Sequence, residues 1–253
     1  LRQIPPHGKG ARQRVPSYLP QLLRFTLCPI ASLKLPLPDS APVALITGAS
    51  RGIGAAAAHK FAAAGYDLLL LARSTADLAS LTTALKPTGR RVESIGLDLA
   101  EPASIAPGLA DLCNRGLTPT VVINNAGVAY TGSLAEMPLE QWQRLMQLNL
   151  SAVFQVCQSL LPRLRQAGGG QIINVNSHAA HQAFHDWGAY CVSKAALLTL
   201  SRCLAVEERP FGIRVSTLTL GAVNTPLWET ENVHSTFDRR AMLDVERASE
   251  ALL

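Results

Sequence analysis

The sequence predicts a three-layer α/β fold, a single doubly wound parallel sheet with helices on both faces. Three observations carry that expectation. From residue 43 onward, short apolar runs alternate with longer stretches of helical pattern. The runs are nearly continuous in apolar residues, as strands covered on both faces are. The first run passes through a glycine-rich turn straight into an alanine-rich stretch, which is how a strand hands over to a crossover helix.

The elements are expected in chain order. Residues 1–40 hold seven of the 16 prolines and show no clean period, so they read as an extension outside the fold. They carry six basic residues and one acid. Such a leader resembles an organellar transit peptide in charge, but its prolines argue against an amphipathic helix. An upstream extension or misplaced start is the favoured reading, with a cytoplasmic protein behind it. Residues 41–253 then form one domain. Strands are expected at 43–47, 67–71, 91–95, 120–124, 171–176 and 213–220. Helices are expected at 53–64, 76–85, 102–113, 139–166 and about 187–209. Gly65 follows the first helix as a C-terminal cap would. A last helix is read near the end of the chain, at 242–253.

Composition narrows the function. Hydrophobic residues make up 48% of the chain and charged residues 16%, which suits a packed globular core. Residues 41–253 carry 17 basic and 17 acidic residues, so the body is neutral and gives no argument for nucleic-acid binding. No run of 18 apolar residues occurs, so no membrane span is expected. The five cysteines, Cys28, Cys113, Cys157, Cys191 and Cys203, lack paired spacing and read as free, mostly buried thiols. His178, His181 and His185 lie close in sequence, yet no acid or cysteine accompanies them in a ligand spacing, so no metal is expected.

Two constellations carry chemistry. The first is the turn Thr47-Gly48-Ala49-Ser50-Arg51-Gly52-Ile53-Gly54. Glycines there let backbone approach a diphosphate, and the helix N-terminus behind them favours its negative charge. A tight turn without ligand would use glycines too, but the strand–turn–helix context is the one a dinucleotide needs. The second strand ends Leu71-Ala72-Arg73, with no acid to hold a ribose 2′-hydroxyl. Arg73 and Arg51 are placed to clasp a 2′-phosphate instead, which favours NADP over NAD.

The second constellation is Ser177, Tyr190 and Lys194. Tyr190 and Lys194 are four residues apart and share one helix face. An ammonium beside the phenol is expected to lower its pKa from about 10 toward neutrality. A serine hydroxyl from an adjacent element would hold a carbonyl or alcohol oxygen against that phenol. The pair alone fits an ordinary amphipathic helix with a buried Tyr and a surface Lys, so the other motifs decide.

Together these residues resemble the short-chain dehydrogenase/reductase family over about residues 42–253. The matching features stand in the family's order: the TGASRGIG turn, Asp98 in Leu-Asp-Leu, the run Asn124–Gly127, Asn149, Ser177, the Tyr190/Lys194 pair and the segment 221–225. The resemblance implies a Rossmann fold and an NADP(H)-dependent oxidoreductase moving a hydride between nicotinamide and a carbonyl or secondary alcohol. Gly48, Ser50, Arg51, Gly52, Ile53 and Gly54 would hold the diphosphate side. Asp98 and Leu99 would meet the adenine. Asn124 and Ala126 would line the adenosine side, and Gly127 belongs to the run that braces the central strand. Tyr190 and Lys194 would also meet the nicotinamide ribose, and Gly221, Val223 and Thr225 the nicotinamide. Ser177 and Tyr190 would hold the substrate oxygen, with Tyr190 as general acid. Asn149 would hold a water linking Lys194 to solvent. Asp98 as a simple turn cap, and Asn149 as a satisfied helix amide, remain alternatives.

Departures are visible. Leu220-Gly221 stands where the family has Pro-Gly, and Asn176 stands where a small hydroxyl residue is common. The family continues into a seventh strand, which this chain is expected to lack. Tyr130, His178, His181, Phe184, His185, Trp187 and Trp228 are candidates for the substrate pocket. A homodimer or homotetramer through the helices at 139–166 and 187–209 is implied. Two alternatives stay open: a 3-oxoacyl thioester reductase, and a catalytically silent NADP-binding protein on the same scaffold.

Overall fold

The computed structural model describes residues 41–253. The expectations about the leader, including Cys28, lie outside the described residues. Six strands form one sheet: β1 (Val43–Thr47), β2 (Asp67–Ala72), β3 (Val92–Gly96), β4 (Val121–Asn124), β5 (Gly170–Ser177) and β6 (Ile213–Leu220). All neighbours are parallel, in the order β3-β2-β1-β4-β5-β6. The strand order therefore reverses between β1 and β4, and the crevice beyond the strand ends at such a point is where this architecture binds ligands.

Strand alternation sorts the core into two layers. Val43 and Leu45 of β1 face one cluster with Leu69 and Leu71 of β2. Ala44 and Ile46 face the other with Leu68 and Leu70. Successive side chains on a strand point to opposite faces, so every β1 and β2 residue in these clusters obeys the two-residue period. One layer is closed by α1 (Gly52–Ala63), α2 (Thr75–Leu85) and α7 (Val245–Glu250). The other is closed by α3 (Pro102–Asn114), α5 (Ala152–Gln166) and α6 (Gly188–Glu208). The alanines of α1 let it lie close on the sheet, with Ala57 and Ala58 fully buried.

The expected single helix at 139–166 is two helices. Between α4 (Leu139–Met146) and α5 sits a π turn, Gln147–Ser151, with Asn149 at its centre. A π turn inserts one residue into the helical ladder, and helical periodicity barely registers it. The last helix is shorter than expected, six residues capped by Asp244, whose side chain accepts from Glu246 N at 2.6 Å.

Helix α6 and the short turn after it, Gly188–Phe211, are long and apolar enough to cross a membrane by length and composition. Here α6 instead packs its buried side, including Ala189, Ser193, Lys194 and Leu197, against the sheet. Among the described residues, Cys113, Cys157 and Cys191 are buried and Cys203 is exposed.

Candidate active site

The carboxyl ends of the strands open on one cavity of about 980 Å³. Along one side lies the start of α1. Gly48 and Gly52 both take left-handed backbone, at φ 64° and 55°, which frees the turn to fold back under the strand ends. A side chain at Gly48 would meet Ala126 Cα at 2.9 Å, and one at Gly54 would run into the Gly48 carbonyl. The turn is thus packed as tightly as backbone allows. The N-cap residue, Arg51, makes no side-chain cap, and the first turn holds no acid. The orphan N–H groups at the helix start therefore remain for an anion, and Gly52 and Ile53 line the cavity there. These residues fit the diphosphate of a dinucleotide.

Most of the expected cofactor residues line this cavity: Gly48, Ser50, Arg51, Gly52, Ile53, Arg73, Asp98, Leu99, Ala126, Gly127, Tyr190, Lys194, Gly221, Val223 and Thr225. Among the described residues neither Arg51 nor Arg73 forms an ion pair. Asp98 also accepts from Ala100 N at 2.9 Å, so it closes its own turn while facing the cavity.

Two expected residues lie elsewhere. Gly54 is buried and serves close packing of α1 on the turn. Asn124 does not line the cavity. Its amide donates to Asn174 Oδ1 at 2.8 Å inside the sheet, because a residue on a buried central strand must find its partners there. Its neighbour Asn125, part of the run expected to brace the central strand but not named for the cofactor, lines the cavity instead. The Asn125 amide nitrogen donates to Thr47 O at 3.0 Å and Gly48 O at 3.2 Å, tying the β4 end to the turn. The Asn-Asn repeat was the available signal, and strand register decides which of the two faces the ligand.

At the other end of the cavity stand Ser177, Tyr190 and Lys194. Ser177 ends β5, and its hydroxyl oxygen accepts from Ala179 N at 3.2 Å, with the hydroxyl itself directed to the Tyr190 phenol. Tyr190 and Lys194 are one turn apart on α6, with the ammonium 5.7 Å from the phenol ring centre. Lys194 Nζ is buried and donates to Val175 O at 3.0 Å. Asn176 joins the two elements: its side chain accepts from Ser177 N at 2.9 Å and donates to Lys194 O at 3.2 Å.

The electrostatics correct the expectation for Tyr190. Burial pushes the phenol up to about 12, against a smaller opposing pull from Ser177. Burial also lowers the Lys194 ammonium to about 8. Desolvation disfavours the charged form of each group.

Asn149 is a brace. Its oxygen accepts from Val128 N at 2.9 Å, and its amide nitrogen donates to Val128 O at 2.9 Å and to Ser193 Oγ at 3.0 Å. Both side-chain N–H donors are used, so its side chain offers no donor for the water expected of it. Among the candidate pocket residues, His178, Phe184, His185, Trp187 and Trp228 line the cavity, and Tyr130 and His181 do not. Phe237 lines it too and carried no motif. No group of three His, Cys, Asp or Glu that would hold a metal occurs among the described residues.

The chain's likeness to known proteins agrees with this geometry. Residues 42–235 match the family described as short chain dehydrogenase. A Streptomyces violaceoruber protein described as granaticin polyketide synthase putative ketoacyl reductase 1 is 35% identical over 199 residues, covering 76% of this chain and 72% of its own. An uncharacterized NAD-dependent oxidoreductase of Mycobacterium tuberculosis (strain CDC 1551 / Oshkosh) is 32% identical over 209 residues, covering 77% and 76%. A short-chain dehydrogenase from Sphingobium yanoikuyae, solved in complex with NADPH, superimposes with a TM-score of 0.76 at 33% identity, covering 83% of this chain and 82% of that one. With a match over most of its length and the strand order of a Rossmann sheet, the chain belongs to the short chain dehydrogenase family of nicotinamide-dependent oxidoreductases.

Proposed function

We propose that the protein is an NADPH-dependent carbonyl reductase, running in reverse as a secondary-alcohol dehydrogenase. One observation carries the reading: Ser177, Tyr190 and Lys194 meet in the same cavity as the uncapped start of α1. Bound nicotinamide supplies the hydride. The residues do the rest. Ser177 turns its O–H to the carbonyl oxygen and fixes its position. Tyr190 donates the proton to that oxygen as negative charge develops there. With its affinity raised to about 12, the phenol is protonated at neutral pH, the state that reduction requires. Lys194, held by Val175 O, places a positive charge beside the phenolate left behind.

The preference for NADPH rests on Arg51 and Arg73, which line the cavity without ion pairs, and on the lack of an acid at the end of β2, where Arg73 stands. The NADPH complex of the Sphingobium protein supports it, and the NAD-dependent mycobacterial relative speaks against it. Rates of NADPH and NADH oxidation with a ketone would test both parts. NADPH should be favoured at least about tenfold, the worth of one charge-assisted bond to phosphate. Arg51→Ala with Arg73→Ala should remove that preference. Equal use of NADH by the unaltered protein would sink the cofactor assignment.

A 3-oxoacyl thioester is a second reading, favoured by the Streptomyces relative. The protein's neutral body offers no general basic character for an acidic carrier. A homo-oligomer is proposed as well, since α5 and α6 leave Phe154, Val192 and Val206 exposed.

A further inference from the structure

The substrate end of the cavity is walled by aromatic rings. From Tyr190 the wall runs outward through Trp187, edge-on at 5.5 Å between ring centres. It continues to Trp228 at 5.4 Å and then to Phe237, nearly parallel to Trp228 at 6.2 Å. Beside Ser177, His178 and Phe184 form a second pair at 6.1 Å. All of these line the cavity. Trp228 is held in place by donating from its ring N–H to Val223 O at 2.8 Å, so the wall is fastened to the segment after β6. Phe184 and Phe237 are 42% and 51% exposed, large apolar rings left open to solvent beside a catalytic hydroxyl pair.

Charge at this end is equally informative. The Lys, Arg, Asp and Glu residues lining the cavity are Arg51, Arg73, Asp77, Asp98 and Lys194. The first four follow the α1 turn, β2 and β3, at the far side from Ser177, and Lys194 is committed to Val175 O. Nearby Arg239 is occupied by Glu229, at 2.7 Å, and by Asn224. Among the described residues, the Lys and Arg side chains at this end are thus committed to protein partners rather than left for a substrate carboxylate or phosphate.

Resting on the carbonyl-reductase reading, we infer that the substrate is a neutral carbonyl compound, or the matching alcohol, with an aromatic ring bonded to the reacting carbon. The ring lies against the Trp187–Trp228–Phe237 wall, where edge and offset contacts favour a π system over an aliphatic group of equal size. The oxygen then falls to Ser177 and Tyr190.

Acetophenone against cyclohexyl methyl ketone is the discriminating pair, since the two differ in aromaticity at similar size. NADPH-dependent kcat/KM should favour acetophenone by about fivefold or more. Calorimetry on the NADP+-loaded protein should show acetophenone bound more tightly in the same ratio. Phe237→Leu keeps an apolar side chain in the wall but removes its ring, so it should narrow the preference by about threefold, with the loss falling on acetophenone more than on the cyclohexyl ketone. Equal or reversed preference, or a higher kcat/KM for an acetoacetyl thioester, overturns the inference and leaves the reductase standing. Tighter acetophenone binding with no turnover of any ketone overturns the reductase and keeps the aromatic subsite. Neither binding nor turnover overturns both.

Discussion

Tyr190 and Lys194 share one face of α6, and burial moves their proton affinities in opposite senses. The phenol is raised to about 12 and the ammonium lowered to about 8. Spacing alone suggested that the lysine would draw the phenol toward neutrality. Spacing measures the attraction and misses the desolvation, which depends on the walls around both groups. The consequence is an acid that holds its proton until substrate charge develops beside it. Tyr190→Phe removes only the donating hydroxyl and keeps the ring against Trp187. It should lower kcat by about 10²–10⁴-fold, the usual worth of a positioned proton donor. NADPH affinity, read from the change in its fluorescence on binding, should stay within about twofold. Full activity in this variant would remove Tyr190 from the mechanism.

At the scale of elements, the site is a splice between β5 and α6. Ser177 comes from the end of the strand and Lys194 from the second turn of the helix, and Asn176 bonds to both segments. The same logic repeats one layer away. Asn149, on the π turn, ties Val128 to Ser193, so the loop after β4 is anchored to the helix carrying the phenol. A buried amide with satisfied bonds positions its neighbours, and losing it leaves main-chain groups unpaired at about 1–3 kcal/mol. Asn176→Ala should therefore lower kcat by about tenfold or more through misplacement of Ser177, with KM for NADPH little changed. A merely structural role would lower the melting temperature and leave the kcat of the folded fraction intact. That split, measured by active-site titration beside thermal melts, decides between them. Asn176→Ser keeps only a short hydroxyl and should recover part of the lost kcat.

For the whole molecule, the parts most legible in the sequence were those set by periodicity and glycine. The buried strands, the α1 turn and the spacing of Ser177, Tyr190 and Lys194 all follow from local pattern. What stayed hidden depends on register and on packing between distant segments. Asn124 and Asn125 differ by one position, and only the strand's face separates a core amide from a turn brace. Phe237 joins Trp228 across a loop that has no motif. The buried lysine has its own effect on global stability. Its affinity is about 8 in the folded chain and about 10.4 when unfolded. Between those values the unfolded chain binds more protons, so this lysine's contribution makes stability rise with pH, by at most about 3 kcal/mol. Cys157, raised to about 12 by burial, acts in the opposite sense above about 8.5, and Tyr190 does so above about 10. In the cofactor-free protein the rise from Lys194 opposes the falls from Cys157, Cys113 and Tyr190 and so delays the alkaline decline. Lys194→Met removes the rising contribution, so its decline should begin near pH 8.5. Urea unfolding midpoints from pH 7 to 11 would show two diverging curves, about one pH unit or more apart in onset. Parallel curves would mean that Lys194 keeps an ordinary proton affinity, and the desolvation argument for both catalytic groups would fall with it.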